Sequence, residues 1–290
     1  MKMKRIFTLC IAICSIAASH AQTDTTGKQN QPPAEDTIRI GGMVIIRKAG
    51  SKDKEMKEDK EYKMRNRRGD KPSNLTTNWW IFDFGFSNYT DKTNYGSAAA
   101  QAYAPGSNKT WFDLKDGRSR NINIWFFMQK LNAIKHVVNL KYGVGLELNN
   151  YHFKQNVRYQ ENTLAIPNPP RVILDGTVGR NYKKNKLAAD YVTVPMMLNF
   201  NFTPKRDKGF GFSTGVSLGY LYSARNKTIT SDEGKEKTKD DFELEKWKFS
   251  YVAELSMGPV RFYGSYVPKS MYERGLDIRP YNFGFRFSNW

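Results

Sequence analysis

The side chains most able to act as bases, nucleophiles or soft ligands are few. There are three histidines, His20, His136 and His152, and two cysteines, Cys10 and Cys14. With a serine and an orienting acid in reach, His152 could act as the base of an ester or lipid hydrolase. No Ser/His/acid spacing fixes such a triad. There is also no Gly-rich phosphate loop, zinc spacing or calcium loop. The reading is therefore a non-enzyme with no catalytic residue, cofactor or metal, and a lipid hydrolase or deacylase using His152 stands as the alternative.

A second group of chemically able residues is ionic. Asp83, Lys141, Glu254, Arg261 and Arg286 each sit on the polar side of a segment whose other side is apolar. A charge held inside a membrane protein is costly unless it is paired. These five are therefore expected to form a salt-bridge network filling the interior.

The elements that must position them begin with an export address. Lys2, Lys4 and Arg5 precede an apolar stretch at 6–18, and Ser19-His20-Ala21 ends it with small residues at the cleavage positions. This pattern is a secretory signal, too short to span a bilayer, with cleavage expected after Ala21. Both cysteines lie inside it, so no disulfide or cysteine-bound metal is expected in the mature chain. Cys14 follows Ile13 rather than a small residue, which argues against a lipid anchor. The formal charge of +18 suits an anionic lipopolysaccharide surface, whereas export away from the cytoplasm argues against nucleic acid as a partner.

Residues 22–77 read as a polar and charged tail. Within it, Gly41-Gly42 could turn a short hairpin over 37–48. From residue 78 the pattern changes to period-2 alternation, in eight segments: 79–88, 120–131, 138–150, 190–202, 210–223, 245–257, 260–267 and 281–288. The apolar faces carry Phe, Tyr and Trp near their ends, and the opposite faces carry Gly, Ser and Asn. Aromatic rings favour membrane interfaces, and small residues suit a narrow lumen. The connections alternate short (132–136, 203–209, 258–259) and long (89–119, 151–189, 224–244, 268–280). The fold class implied is all-β: an eight-stranded antiparallel transmembrane barrel over 78–290 in an outer membrane, with short periplasmic turns, long extracellular loops and both termini periplasmic. The glycines at 143, 145, 211, 215 and 219 read as lumen-facing spacers.

Phe283, Gly284, Phe285, Phe287 and Trp290 look like a C-terminal signal for the barrel assembly machinery. Trp290 is out of phase with the others, and Asn289 holds the in-phase place. The segments FDFGFSNY (82–89), LKYGVGLELNNYHF (140–153), DYVTVPMMLNFNF (190–202), GPVRFYGSYV (258–267) and YNFGFRFSNW (281–290) together resemble the PorT-like outer-membrane β-barrel domain of Bacteroidota-type bacteria. That resemblance implies an eight-stranded barrel, with some relatives serving the type IX secretion machinery. The expected role is a structural or accessory component of the cell envelope that supports protein secretion. Its partners would be outer-membrane lipids, lipopolysaccharide and a periplasmic or secretion-system protein. A small solute channel is a further alternative, disfavoured because side chains fill a barrel of eight strands.

Overall fold

The computed structural model describes residues 36–40, 43–47, 73–161, 169–204 and 209–288. The expected signal at 1–21, the Gly41-Gly42 pair, most of the charged tail and Trp290 lie outside them. The chain divides into two units, Met1–Arg68 and Gly69–Trp290. In the first, β1 (Asp36–Ile40) pairs antiparallel with β2 (Met43–Arg47).

The second unit is a closed ring. Its strands are β3 (Leu75–Asp91), β4 (Arg120–Ile134), β5 (Val138–His152), β8 (Tyr182–Asn201), β9 (Phe210–Thr230), β11 (Trp247–Met257), β12 (Val260–Tyr266) and β13 (Ile278–Phe287). Each pairs antiparallel with its chain neighbour in the ring; β13 closes on β3, and β8 pairs with β9. Short strands β6 (Val157–Tyr159) and β7 (Val172–Leu174) pair with each other in the β5–β8 connection. β10 (Gly234–Lys239) extends the sheet along the far half of β9. Eight strands in a ring leave no open edge, as lipid requires. Alternation places Phe82, Phe84, Val194, Leu218, Phe249 and Phe285 on the exposed outer face and Asp83, Asn123, Glu147, Ser217 and Glu254 inside.

The strands outrun several expected limits. β3 starts at Leu75, ahead of residue 78, and β8 and β9 extend well past 190 and 223. Much of the expected loops at 151–189 and 224–244 is therefore strand. The membrane pattern could not show this, because beyond the membrane it inverts, with Lys184 and Lys186 outside and Leu187 and Ala189 inside.

Strict period 2 along 120–131 puts Met128 on the outer face with Ile122 and Ile124, and the structure corrects this: Met128 is fully buried inside. Facing bulges at Trp80, whose φ is +54°, and at Phe126 shift the phase of both strands. As a result Trp79 and Trp80 both point outward, and each packs against a phenylalanine across the strand pair, Trp79 tilted on Phe127 and Trp80 edge-on to Phe126, at 5.8 Å between ring centroids. The 134–137 turn carries Lys135 (φ +46°) and His136 (φ +59°) without the glycine such angles favour. The Asn132 side chain supports it by accepting the His136 N–H at 2.7 Å.

The long connections are not merely polar loops. All four contribute to a second hydrophobic core over that end of the ring. Trp111 and Phe112 come from the first, Phe153 and Tyr159 from the second, Phe242 and Leu244 from the third, and Met271 and Tyr272 from the fourth. The Tyr159 and Tyr272 hydroxyls share a hydrogen bond of 2.6 Å, and Tyr103, on helix α1 (Ala98–Tyr103), donates to the Phe242 carbonyl at 2.7 Å.

Asp175 ties the rim of this cap. It accepts from the Thr177 hydroxyl (2.6 Å), the Tyr182 hydroxyl (2.6 Å) and Arg180 (2.9 Å). Burial acts to raise its pKa, but these hydrogen bonds outweigh it and hold the carboxyl below its usual range. A carboxyl depressed in the folded state contributes stability above its unfolded pKa and loses it as pH falls. Amide protection around 175–182, corrected for intrinsic exchange, should therefore drop as pH is lowered through about 4 and below. Asp175→Asn should abolish that dependence, and equal pH dependence in the variant would count against the assignment.

Candidate functional site: the lumen

Ionic and amide side chains fill the interior, and six of the eight ring strands contribute to the network described here. The Arg286 guanidinium grips Asp83 with two donors, Nε to Oδ1 at 2.7 Å and Nη2 to Oδ2 at 2.8 Å. Its remaining nitrogen, Nη1, donates to Glu254 at 2.5 Å. Lys141 completes the chain with bonds of 2.7 and 2.8 Å to the two Glu254 oxygens. Asp83 also accepts from Asn123 at 3.0 Å and from the Trp125 indole at 2.8 Å. All four ionic groups are at least 96 % shielded in their side chains, so each charge depends on its partners rather than on water.

Four of the five expected lumen charges therefore form one connected chain. The fifth, Arg261, is also buried. It lines a cavity of about 70 Å³ at the short-turn mouth with Lys130, Lys141 and Glu254.

A second tier, nearer the long loops, was not singled out from the sequence. Glu147 pairs with Lys248 and accepts from Asn149 (3.2 Å) and Asn282 (3.1 Å). Asn149 accepts from Asn121 at 2.9 Å, and Asn121 accepts from the Tyr263 hydroxyl at 2.5 Å. The available signal was period 2 itself, since all of these residues lie on the inner face of their strands. Ile81, Trp125, Met128 and Met197 form a small apolar cluster within the lumen.

Two rings can cross this narrow lumen because glycine lies beneath them. A Cβ at Gly145 would stand 2.7 Å from the Trp125 ring, and one at Gly85 would stand 2.6 Å from the Tyr263 hydroxyl. Gly85 faces Gly284 across β3 and β13.

A closed ring of eight strands with an apolar, aromatic-rimmed exterior and an ionic interior is the architecture of a small membrane barrel. Residues 80–272 match the family model described as "Outer membrane protein beta-barrel domain". The chain belongs to that family. This outer-membrane barrel is also similar to a solved structure, Ail, the attachment invasion locus protein of Yersinia pestis. The identity is 12%, over 73% of this chain and 98% of that chain, with a TM-score of 0.30, too slight a likeness to carry an argument. No curated protein matches the chain.

The other residues singled out from the sequence lie elsewhere on the barrel. Phe283, Phe285 and Phe287 point outward from β13, and Gly284 points inward. His136 is in the 134–137 turn. His152 is on the outer wall at the long-loop end, in a cleft with Lys115, Arg118, Arg120, Lys183 and Lys184. The nearby Ser119 hydroxyl accepts the His152 backbone N–H at 3.0 Å. Among the described residues, no group of histidines, cysteines and carboxylates is placed to hold a metal ion.

Proposed function

We propose that this barrel is a closed, non-conducting and non-enzymatic scaffold of the outer membrane, a structural or accessory component of the envelope of the PorT-like type that supports protein secretion. The observation that carries this reading is the filled interior: the Asp83–Arg286–Glu254–Lys141 chain crosses the lumen, and a packed cap lies over its long-loop end. The even strand number and the short turns at one end support periplasmic termini, which would put the charged tail within reach of a periplasmic or secretion-system partner. The non-enzymatic reading is supported by the surroundings of His152, whose cleft is lined by cations and Asn185 rather than by an orienting carboxylate. Assembly would pass through the barrel assembly machinery, with Phe283, Gly284, Phe285, Phe287 and Trp290 as its signal.

Planar-bilayer recording tests the closed lumen. The wild-type barrel is expected to give no stable unitary conductance, and Arg286→Ala is expected to raise leak current. A large, steady channel in the intact protein would refute the scaffold reading in favour of a solute channel. Steady release of fatty acid from lipid by the purified barrel, lost in His152→Ala, would refute it in favour of a hydrolase.

A further inference from the structure

The outer wall at the long-loop end carries an unusual charge arrangement. His152, Lys186, Lys227 and Lys237 are directly opposite one another on β5, β8, β9 and β10, forming one row across four hydrogen-bonded strands. The adjacent row runs from Arg120 through Asn150 and Ala188 to Arg225 and Lys239. An imidazole among lysines is neutral at pH 7, so the like charges set directly opposite in this row, which repel, are Lys186, Lys227 and Lys237. Among the described residues no side chain of the first row makes a salt bridge, and the Arg225 partner Asp190, at 2.5 Å, is buried beneath. The charge of Lys239, then burial, then Arg225 and Lys235, push the Lys237 amine below its ordinary value.

This is not a general consequence of a basic chain. The acid of β10, Glu236, faces the other way and pairs with Arg158. On the opposite half of the rim two cations have acids of their own, Lys269 with Glu245 at 2.5 Å and Arg279 with Asp277 at 2.8 Å. The rows continue into the cleft of about 290 Å³ that holds His152, Arg118 and Lys184.

Depth is fixed by the neighbouring rings. The Arg120 guanidinium lies over Phe84 and Phe86, at 5.3 and 5.2 Å from their centroids. Phe84 belongs to the exposed apolar belt. On β5 and β8 the outward residues are apolar up to Leu148 and back to Val192; Asn150 and His152 follow on β5, and Lys186 and Lys184 on β8. The positive rows therefore begin where the apolar belt ends, at the level of lipid headgroups.

We propose that this half of the rim binds the headgroup phosphate of an anionic membrane lipid, whose acyl chains lie along the belt below. The bound phosphate supplies a salt-bridge partner for Lys186, Lys227 and Lys237. A cation near such a surface contributes roughly a fivefold gain in lipid affinity.

Native mass spectrometry of the full-length barrel in mild detergent tests this with three probes: phosphatidic acid, diacylglycerol with the same chains, and inorganic phosphate. Wild type should retain phosphatidic acid about 25-fold or more over diacylglycerol. Lys186→Gln/Lys227→Gln should lower that retention about 25-fold, while Lys269→Gln/Arg279→Gln, an equal charge loss on the other half of the rim, should leave it unchanged. The first double variant should fold at least as well without lipid, because it removes repulsion. Arg118→Gln/Lys184→Gln provides a second pair outside that row, with the same expected direction. Unchanged retention in both pairs, or equal retention of diacylglycerol, would overturn the proposal. Displacement of phosphatidic acid by equimolar inorganic phosphate would also overturn it, by marking a site for soluble anions.

Discussion

Arg286→Met should destabilise the folded barrel by about 3–5 kcal/mol, the scale for removing one partner of a buried ion pair. Arg286 alone joins the two carboxylates, giving two donors to Asp83 and one to Glu254. Without it Asp83 keeps only the neutral donors Asn123 and Trp125, and Glu254 keeps Lys141. Denaturant unfolding in lipid vesicles, followed by tryptophan fluorescence, measures the change. Arg286→Lys should fall between the two, because an ammonium keeps the charge but not the planar fork. Adding Asp83→Asn to Arg286→Met should recover part of the loss, because the orphaned charge is then gone and the two sites are coupled. A loss within about 1 kcal/mol for Arg286→Met would show that water replaces the guanidinium and that the chain is not a structural plug.

Gly85→Val should prevent the barrel from closing. A Cβ at residue 85 would stand 2.2 Å from the Phe283 carbonyl oxygen and 2.8 Å from the Gly284 Cα, so the β3 and β13 backbones would have to part. It would also meet the Tyr263 hydroxyl, which is fixed on Asn121. Overpacking a core typically costs about 1–3 kcal/mol when side chains can yield; here backbone must yield, so a larger cost is expected. The readout is heat-modifiable migration after refolding, with little or no compact species expected. Gly264→Ala is the matched control, because the nearest atom to its Cβ would be 3.7 Å away. It should migrate as wild type. Normal folding of Gly85→Val would mean that the β3–β13 seam is more open than the register indicates.

Much of this barrel was legible in the chain. Alternation of period 2 is a local property, set by the pleat of each strand, so β5, with Leu140 and Leu148 outside and Lys141, Glu147 and Asn149 inside, could be read without knowing its neighbours. Even the lumenal charges Asp83, Lys141, Glu254 and Arg286 were legible, because a polar face needs only its own strand to be recognised. The order of short and long connections likewise followed from where alternation stopped, although β8 and β9 run on and shorten two of the long ones.

Other features required the ring to close. Which carboxylate meets which cation depends on register and shear around eight strands; Arg286 reaches Asp83, 203 residues away in the chain, because β13 pairs with β3. The facing bulges at Trp80 and Phe126 turned Met128 inward, a phase change visible only once both strands are aligned. The cap core has no sequence period, since Trp111, Tyr159, Phe242 and Tyr272 come from four separate connections and meet only where the ring gathers them. The cationic rows are the same kind of feature. Each lysine sits in an unremarkable polar stretch, and only strand pairing places Lys186, Lys227 and Lys237 side by side at the edge of the lipid belt.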